Sequence, residues 1–322
     1  METKAGILSA FFLPTLEREN STSHFVRLFF SIHFSAKHFD SLLFIKALMK
    51  ISSLHIYPVK SAGGIRHTES RMEKRGLRHD RRWLITDERF QFLTQRAHPR
   101  MCLLHVNVTE SALTMSAQNY GSLSVSMPVH STHEVEVRIW NDRCLALVCS
   151  EEADRWISNF MGFKCHLVFL PDHVHRAVDR AYGNAGDIVS FADAYPVLIL
   201  SEATLEDLNG RLDIPVSMTR FRPNIVISGC NAFAEDGWRR IRIGVVELEI
   251  VKPCSRCTIP TVDPDTGERG TEPIHTLSTY RMVNGKVLFG QNAIPRNEGV
   301  VRVGDAVEVI TYAENASITA IP

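Results

Sequence analysis

Between His133 and Trp140 the chain alternates without a break: Val135, Val137 and Ile139 fall on one side, Glu134, Glu136 and Arg138 on the other. A period of two is the mark of a strand with one buried face, whereas a helix would scatter these apolar residues around its axis. Asn141-Asp142 then reads as a turn into a second strand, Arg143–Cys149, which closes a hairpin. Short runs rich in β-branched and large apolar residues recur at Ile51–Val59, Arg82–Thr86, Cys102–Val108, Ser122–Met127 and Cys165–Leu170. The second half adds Val197–Leu200, Asn224–Ser228, Arg240–Gly244, Val246–Val251, Val300–Val303 and Ala306–Thr311.

Helices are few. Ser150 caps a segment in which Ala153, Trp156, Ile157, Phe160 and Met161 form one apolar stripe that ends near Gly162, and Ser201 caps a second carrying Leu205, Leu208 and Leu212. Strands without regular βαβ alternation predict an α+β chain that is mostly β, and the absence of a Gly-x-Gly-x-x-Gly or P-loop fingerprint argues against a doubly wound nucleotide enzyme. The polar stretch Pro171–Gly186 lacks either period and marks a boundary, giving expected domains at 49–170 and 171–322.

Residues 1–48 stand apart, because they hold eight of the 17 phenylalanines. The apolar run Ile7–Pro14 is short and leads into Glu17, Arg18 and Glu19, unlike a signal peptide. Phe25–Met49 is broken by Arg27, Lys37, Asp40 and Lys46, unlike a membrane span. The expectation is an extension, disordered or not part of the fold, with the first domain opening at Met49-Lys50.

The 36 Lys+Arg balance 36 Asp+Glu, which excludes a broadly basic nucleic-acid binder and requires any charged ligand to be met by a local cluster. Seven scattered cysteines do not form a secreted disulfide framework, so a reducing, cytoplasmic setting is expected. Only Cys254 and Cys257 are closely spaced. The segment just after this pair, with Ile259, Thr261, Val262 and an Asp-Pro-Asp-Thr-Gly turn, is a poor helix and so a poor thioredoxin-type site. There is no second Cys-x-x-Cys to complete a structural zinc site. Two readings stay open: a pair of buried thiols, or thiolates favoured by Lys252 and Arg256 that act as nucleophile or soft-metal ligand.

Here the chain resembles a family. Ile56-Tyr-Pro-Val-Lys-Ser61, Asp80-Arg81-Arg82-Trp83, Leu198-Ile-Leu-Ser-Glu-Ala203, Phe221-Arg-Pro-Asn-Ile-Val-Ile-Ser-Gly229, Lys252-Pro-Cys-Ser-Arg-Cys257 and Phe289-Gly-Gln-Asn292 are similar to segments of the MOSC-domain proteins, in order over residues 50–312. The likeness is to the bacterial YcbX type and, at greater distance, to the mitochondrial amidoxime-reducing component. It implies an N-terminal β-barrel domain and a barrel-like MOSC domain that together hold a pyranopterin molybdenum cofactor. Carried over residue by residue, Cys257 is the molybdenum ligand and the catalytic residue. Lys60, Ser61, Arg81 and Arg222 hold the cofactor phosphate, a mix of forked, point-charge and short donors suited to that anion. Asn224, Ser255 and Asn292 are pterin or supporting contacts, and Cys254 either supports the ligand or packs as a core thiol. Ala194 and Tyr195 stand in a cofactor-contacting turn where the mitochondrial protein has hydroxyl side chains, and Asn292 replaces a family tyrosine.

The activity implied is reduction of N-hydroxylated compounds (hydroxylaminopurines, amidoximes, hydroxylamines) to amines. His79, beside Asp80, is a candidate proton donor by proximity only. YcbX-type proteins commonly carry a fused ferredoxin domain, but there is no cysteine after Cys257 here, so no iron–sulfur cluster is expected in this chain. Electrons are then expected from a separate donor of ferredoxin or flavodoxin type with its reductase. The alternative is a non-catalytic carrier of molybdenum cofactor or sulfur using Cys254 or Cys257. Pyridoxal phosphate, associated with MOSC domains through their kinship with cofactor sulfurases, finds no supported Schiff-base lysine.

Overall fold

A computed structural model describes residues 48–128 and 133–313. The expectations for residues 1–47 lie outside the described residues. Within them the fold is α+β and mostly β, with α-helices only at Glu151–Met161, Glu202–Asn209 and Ile274–Tyr280. None of these is long and apolar enough to cross a membrane.

The expected hairpin forms, Glu134–Ile139 pairing antiparallel with Asp142–Val148. Val137 and Ile139 are buried while Glu134, Glu136 and Arg138 are exposed. The strand stops one residue short of Trp140, which takes a left-handed turn conformation at φ 56° and stays 44% exposed. These strands join Cys165–Phe169 and Trp83–Asp87 in a four-stranded sheet. Three further strands, His105–Val108, Ala112–Ala117 and Gly121–Ser126, form a meander, and Trp83, Ile85, Leu104, Met115, Ile157, Phe160 and Leu167 pack as one core.

The larger sheet has nine strands. Its path runs Ile65–His67, Lys50–Ile56, Ile225–Ser228, Val197–Ser201, Lys286–Pro295, Val246–Ser255, Trp238–Ile243 and Val307–Tyr312, with Met282–Val283 attached to Lys286–Pro295. Val197–Ser201 and Ile225–Ser228 run parallel and the intervening chain contains the helix Glu202–Asn209, which begins where the Ser201 hydroxyl accepts the Thr204 N–H. The first described strand, Lys50–Ile56, thus sits beside Ile225–Ser228, from the second half. Gly299–Arg302 likewise pairs back onto Glu69–Glu73. These two long-range pairings bring the segments after Ile56, Phe221 and Val251 to one place.

The helix caps agree with the sequence: the Ser150 hydroxyl accepts the Ala153 N–H at 3.1 Å and Gly162 ends the helix at φ 84°. Two differences are instructive. Cys102 does not open a strand, because Pro99 starts a 3-10 turn over Pro99–Leu103 that buries Met101 and Cys102, and the strand begins at His105. Val246–Ser255 runs past Val251 through Pro253 and Cys254, with its register shifting on either side of Lys252-Pro253, so the cysteine pair begins inside a distorted strand end. The short 3-10 turn Ile259–Thr261 just after Cys257 agrees with the expected absence of a helix there.

Candidate functional site

A cavity of about 330 Å³ opens where these segments meet. All eight residues predicted from sequence line it: Lys60, Ser61, Arg81, Arg222, Asn224, Ser255, Cys257 and Asn292. Lys60, Ser61, Arg81, Thr94 and Arg96 come from the first half, and the Arg222 and Cys254–Cys257 segments from the second.

Three of these residues hold positive φ without being glycine: Ser61 at 69°, Arg81 at 50° and Arg222 at 56°. Each such residue costs on the order of 1 kcal/mol or more, and such strain concentrates where side chains must be aimed. Here it turns two arginines toward one ring. The Arg81 and Arg222 guanidinium carbons lie 4.3 and 4.1 Å from the centre of the buried Tyr57 ring. Asp80, itself buried, accepts from Arg81 Nη1 at 2.8 and 2.6 Å and from the Tyr57 N–H at 2.8 Å. Burial pushes the Asp80 carboxyl pKa up, and the Arg81 charge only partly opposes this.

Arg222 differs. Its Nη1 donates to the Ala62 carbonyl at 2.6 Å, but Nη2 is buried with no hydrogen-bond partner. Burial, with the neighbouring Arg81 charge, draws its pKa down to about 10. A buried, cationic, unpaired N–H is costly, and an anionic acceptor relieves that cost. Ser61 is buried, and its hydroxyl makes no hydrogen bond among the described residues. Lys60 donates to the Phe191 carbonyl at 2.8 Å and to Asp193 Oδ1 at 2.5 Å. Asn224 is spent internally: its Oδ1 accepts from the Leu198 N–H at 3.1 Å and Arg81 at 3.2 Å, while Nδ2 donates to the His55 carbonyl. It braces Arg81 and leaves little of its amide for a ligand.

At the other wall, Cys257 Sγ accepts the Ile259 N–H at 3.5 Å, and Cys254 Sγ accepts from Arg256 Nη1 at 3.1 Å. Elsewhere, burial pushes the thiol pKa of Cys102 and Cys144 up to about 11 and that of Cys165 to about 12, so those stay neutral. Among the described residues no group of three or more His, Cys, Asp and Glu side chains could hold a metal ion. A metal at this wall would meet one or two thiolates and take its other ligands from a bound cofactor.

Sequence reasoning missed Arg96 and Asp193. Asp193 accepts from Lys60, from Arg96 Nη2 at 2.8 Å and from Trp140 Nε1 at 3.2 Å, and Arg96 lies 4.5 Å over the Trp140 ring. Burial alone would raise the Asp193 pKa, but Lys60 and Arg96 outweigh it and hold the carboxylate well below its ordinary range. No local motif marks either residue, since what defines them is each other. His79 is absent from this cavity; it lies in a separate cleft with its Nε2 3.8 Å from Glu110, so it is no proton donor here. The lining carries six cations (Lys60, Arg81, Arg96, Arg222, Lys252, Arg256) and two anions (Asp179, Asp193), an excess of four positive charges in a chain of zero net charge.

Residues 48–164 match the MOSC N-terminal beta barrel domain and residues 186–308 the MOSC domain. Mitochondrial amidoxime-reducing component 1 of Mus musculus is 38% identical over 278 residues, 81% of this chain and 82% of the relative. This chain belongs to the MOSC-domain family. The Homo sapiens component 1 is also 38% identical, over 280 residues with the same coverage. Component 2 of Rattus norvegicus is 33% identical over 278 residues, 80% of this chain and 82% of that one. Both MOSC segments contribute to the cavity, and Asp179 reaches it from the stretch between them.

Proposed function

We propose that this protein is a molybdenum-cofactor oxidoreductase that reduces N-hydroxylated compounds to amines. The observation that carries the reading is one cavity with an orphaned arginine N–H at Arg222, a free Ser61 hydroxyl and two more cations at one part of its wall, and Cys257 at another. The names of the relatives, amidoxime-reducing components, supply the reaction class.

These side chains fit such a cofactor. Arg222, Arg81, Lys60 and Ser61 would bind its phosphate, with Asn224 and Asp80 holding Arg81 in place. Cys257 would be the protein's thiolate ligand, and Ser255 and Asn292 offer uncommitted polar atoms to the pterin. When bound, the cofactor supplies a two-electron redox centre able to take up oxygen from nitrogen. For a hydroxylamine the balance is R–NHOH + 2 H⁺ + 2 e⁻ → R–NH₂ + H₂O, with electrons from a separate donor of ferredoxin or flavodoxin type. The chain's own part is to anchor the phosphate, present the thiolate and hold the substrate.

The test is molybdenum and pterin analysis of the purified protein, then reduction of a hydroxylaminopurine or benzamidoxime with an artificial one-electron donor. Near-stoichiometric molybdenum with turnover is expected. Molybdenum without turnover of any N-hydroxylated compound would favour the carrier, and protein free of molybdenum from a cofactor-competent host would defeat both.

A further inference from the structure

The cations of the cavity wall are not equally engaged. Lys60 and Arg96 share Asp193, Arg81 holds Asp80, Arg222 reaches the Ala62 carbonyl, and Arg256 reaches the Phe221 carbonyl and Cys254. Lys252 alone has no hydrogen bond or ion pair among the described residues; its ammonium lies 3.9 Å over the Tyr182 ring. Asn292 stands opposite Lys252 in the strand register, and its side-chain amide is also without a partner among the described residues. Tyr195 faces the same cavity and meets Tyr182 edge-on with ring centres 6.3 Å apart. Burial raises its pKa to about 12, so its hydroxyl, which bonds to no described residue, remains a donor.

Resting on the reading of this cavity as an N-hydroxy reductase site, we infer that Lys252, with Tyr195, selects substrates that carry an anionic substituent on a flat ring. Two donors with no acceptor among the described residues, Lys252 and Tyr195, face the cavity, and the lining as a whole carries four excess positive charges. Of the two acids lining the cavity, Asp193 is held by Lys60 and Arg96, while Asp179 accepts the Ala181 N–H in its own turn and forms no ion pair with Lys252. A carboxylate on the ligand therefore meets an uncommitted ammonium, and such charge-assisted contacts commonly separate ligands by about tenfold or more. Tyr182, 41% exposed, presents a ring beside that ammonium.

The experiment is calorimetric binding of benzamidoxime and 4-carboxybenzamidoxime to the whole protein with no electron donor present, so that neither is consumed. The wild type is expected to bind the carboxylated probe about tenfold more tightly, more so at low salt. Lys252→Gln should reduce that ratio to about one, and Lys252→Arg should retain most of it. A wild type without preference, a Lys252→Gln protein that keeps it, or one that loses both probes or its cofactor alike overturns the inference. If the preference stands but neither probe is reduced once a donor is added, the proposed reaction fails while the recognition site remains.

Discussion

The Arg256 guanidinium donates to the Cys254 sulfur across 3.1 Å, while the same side chain donates to the Phe221 carbonyl at 2.7 Å. Cys254 is thus tied to the wall that carries it, whereas Cys257, the proposed metal ligand, accepts a long N–H bond from Ile259 and meets the Arg96 guanidinium from the other half of the chain. The two thiols should respond differently to removal. Cys257→Ala should lower both molybdenum content and turnover by more than about 100-fold, beyond what loss of a supporting contact costs. Cys254→Ala should keep the metal and lose about tenfold or less. Equal loss in both, read by elemental analysis and steady-state rates, contradicts the ligand assignment.

Arg222 is burdened in the free protein and needed in the loaded one. Arg222→Met gives up the bond to Ala62 but also relieves a buried cation with an unpaired N–H. Its apo stability should change by no more than about 1 kcal/mol, the size of one net hydrogen bond. Cofactor retention should fall by about 10- to 100-fold, as expected for one charge-assisted contact. Chemical denaturation and cofactor content check the two halves of this expectation.

His55 gives the fold a pH dependence. Burial, with the nearby Arg66 and His67, lowers its pKa to about 4, against about 6.5 in an unfolded chain. The unfolded state therefore binds more protons between these values, so stability is full above pH 6.5 and is lost as pH falls toward 4. The ring is half-buried, which limits the effect to about 1–2 kcal/mol. His55→Gln should flatten the unfolding free energy across pH 4–6.5; an unchanged slope counts against the assignment. The His55 backbone carbonyl and N–H both bind Asn224, the residue that braces Arg81.

How far the chain is legible from its residues alone depends on the range of the forces involved. The hairpin of Glu134–Ile139 with Asp142–Val148 and the caps at Ser150 and Gly162 are local, set by neighbours within a few residues, and they form as expected, with the hairpin turn one residue early at Trp140-Asn141. Lys286–Pro295, a central strand, was not legible, because Gly290, Gln291, Asn292 and Pro295 are poor strand formers held by their neighbours. Gly290 at φ 82° shows the constraint: a Cβ there would come within 2.8 Å of Leu200 and 3.0 Å of the Ile199 carbonyl. At the site, motif residues could be carried over one by one, but Asn224's internal engagement and the Arg96–Asp193 pair exist only across the two halves of the chain.

Asp193 is the acid through which these halves share charge, and its replacement separates two effects. Asp193→Asn keeps the shape and the bond from Trp140 to an amide oxygen, but removes the negative charge that Lys60 and Arg96 share. Lys60 is then buried among neutral acceptors alone, the Phe191 carbonyl and the amide oxygen, so the Lys60 pKa, already drawn down by burial, falls further and the fold loses stability. Because the Asp193 side chain is 48% exposed, the loss should be about 1–2 kcal/mol rather than that of a fully buried pair. The two freed cations should at the same time bind inorganic pyrophosphate several-fold more tightly in the apo protein. Thermal unfolding with and without pyrophosphate reads both at once: the variant should melt lower alone and gain more from the anion than the wild type does. A variant that melts lower and gains no more would mean that Asp193 only braces the wall and does not compete with the anion for Lys60 and Arg96.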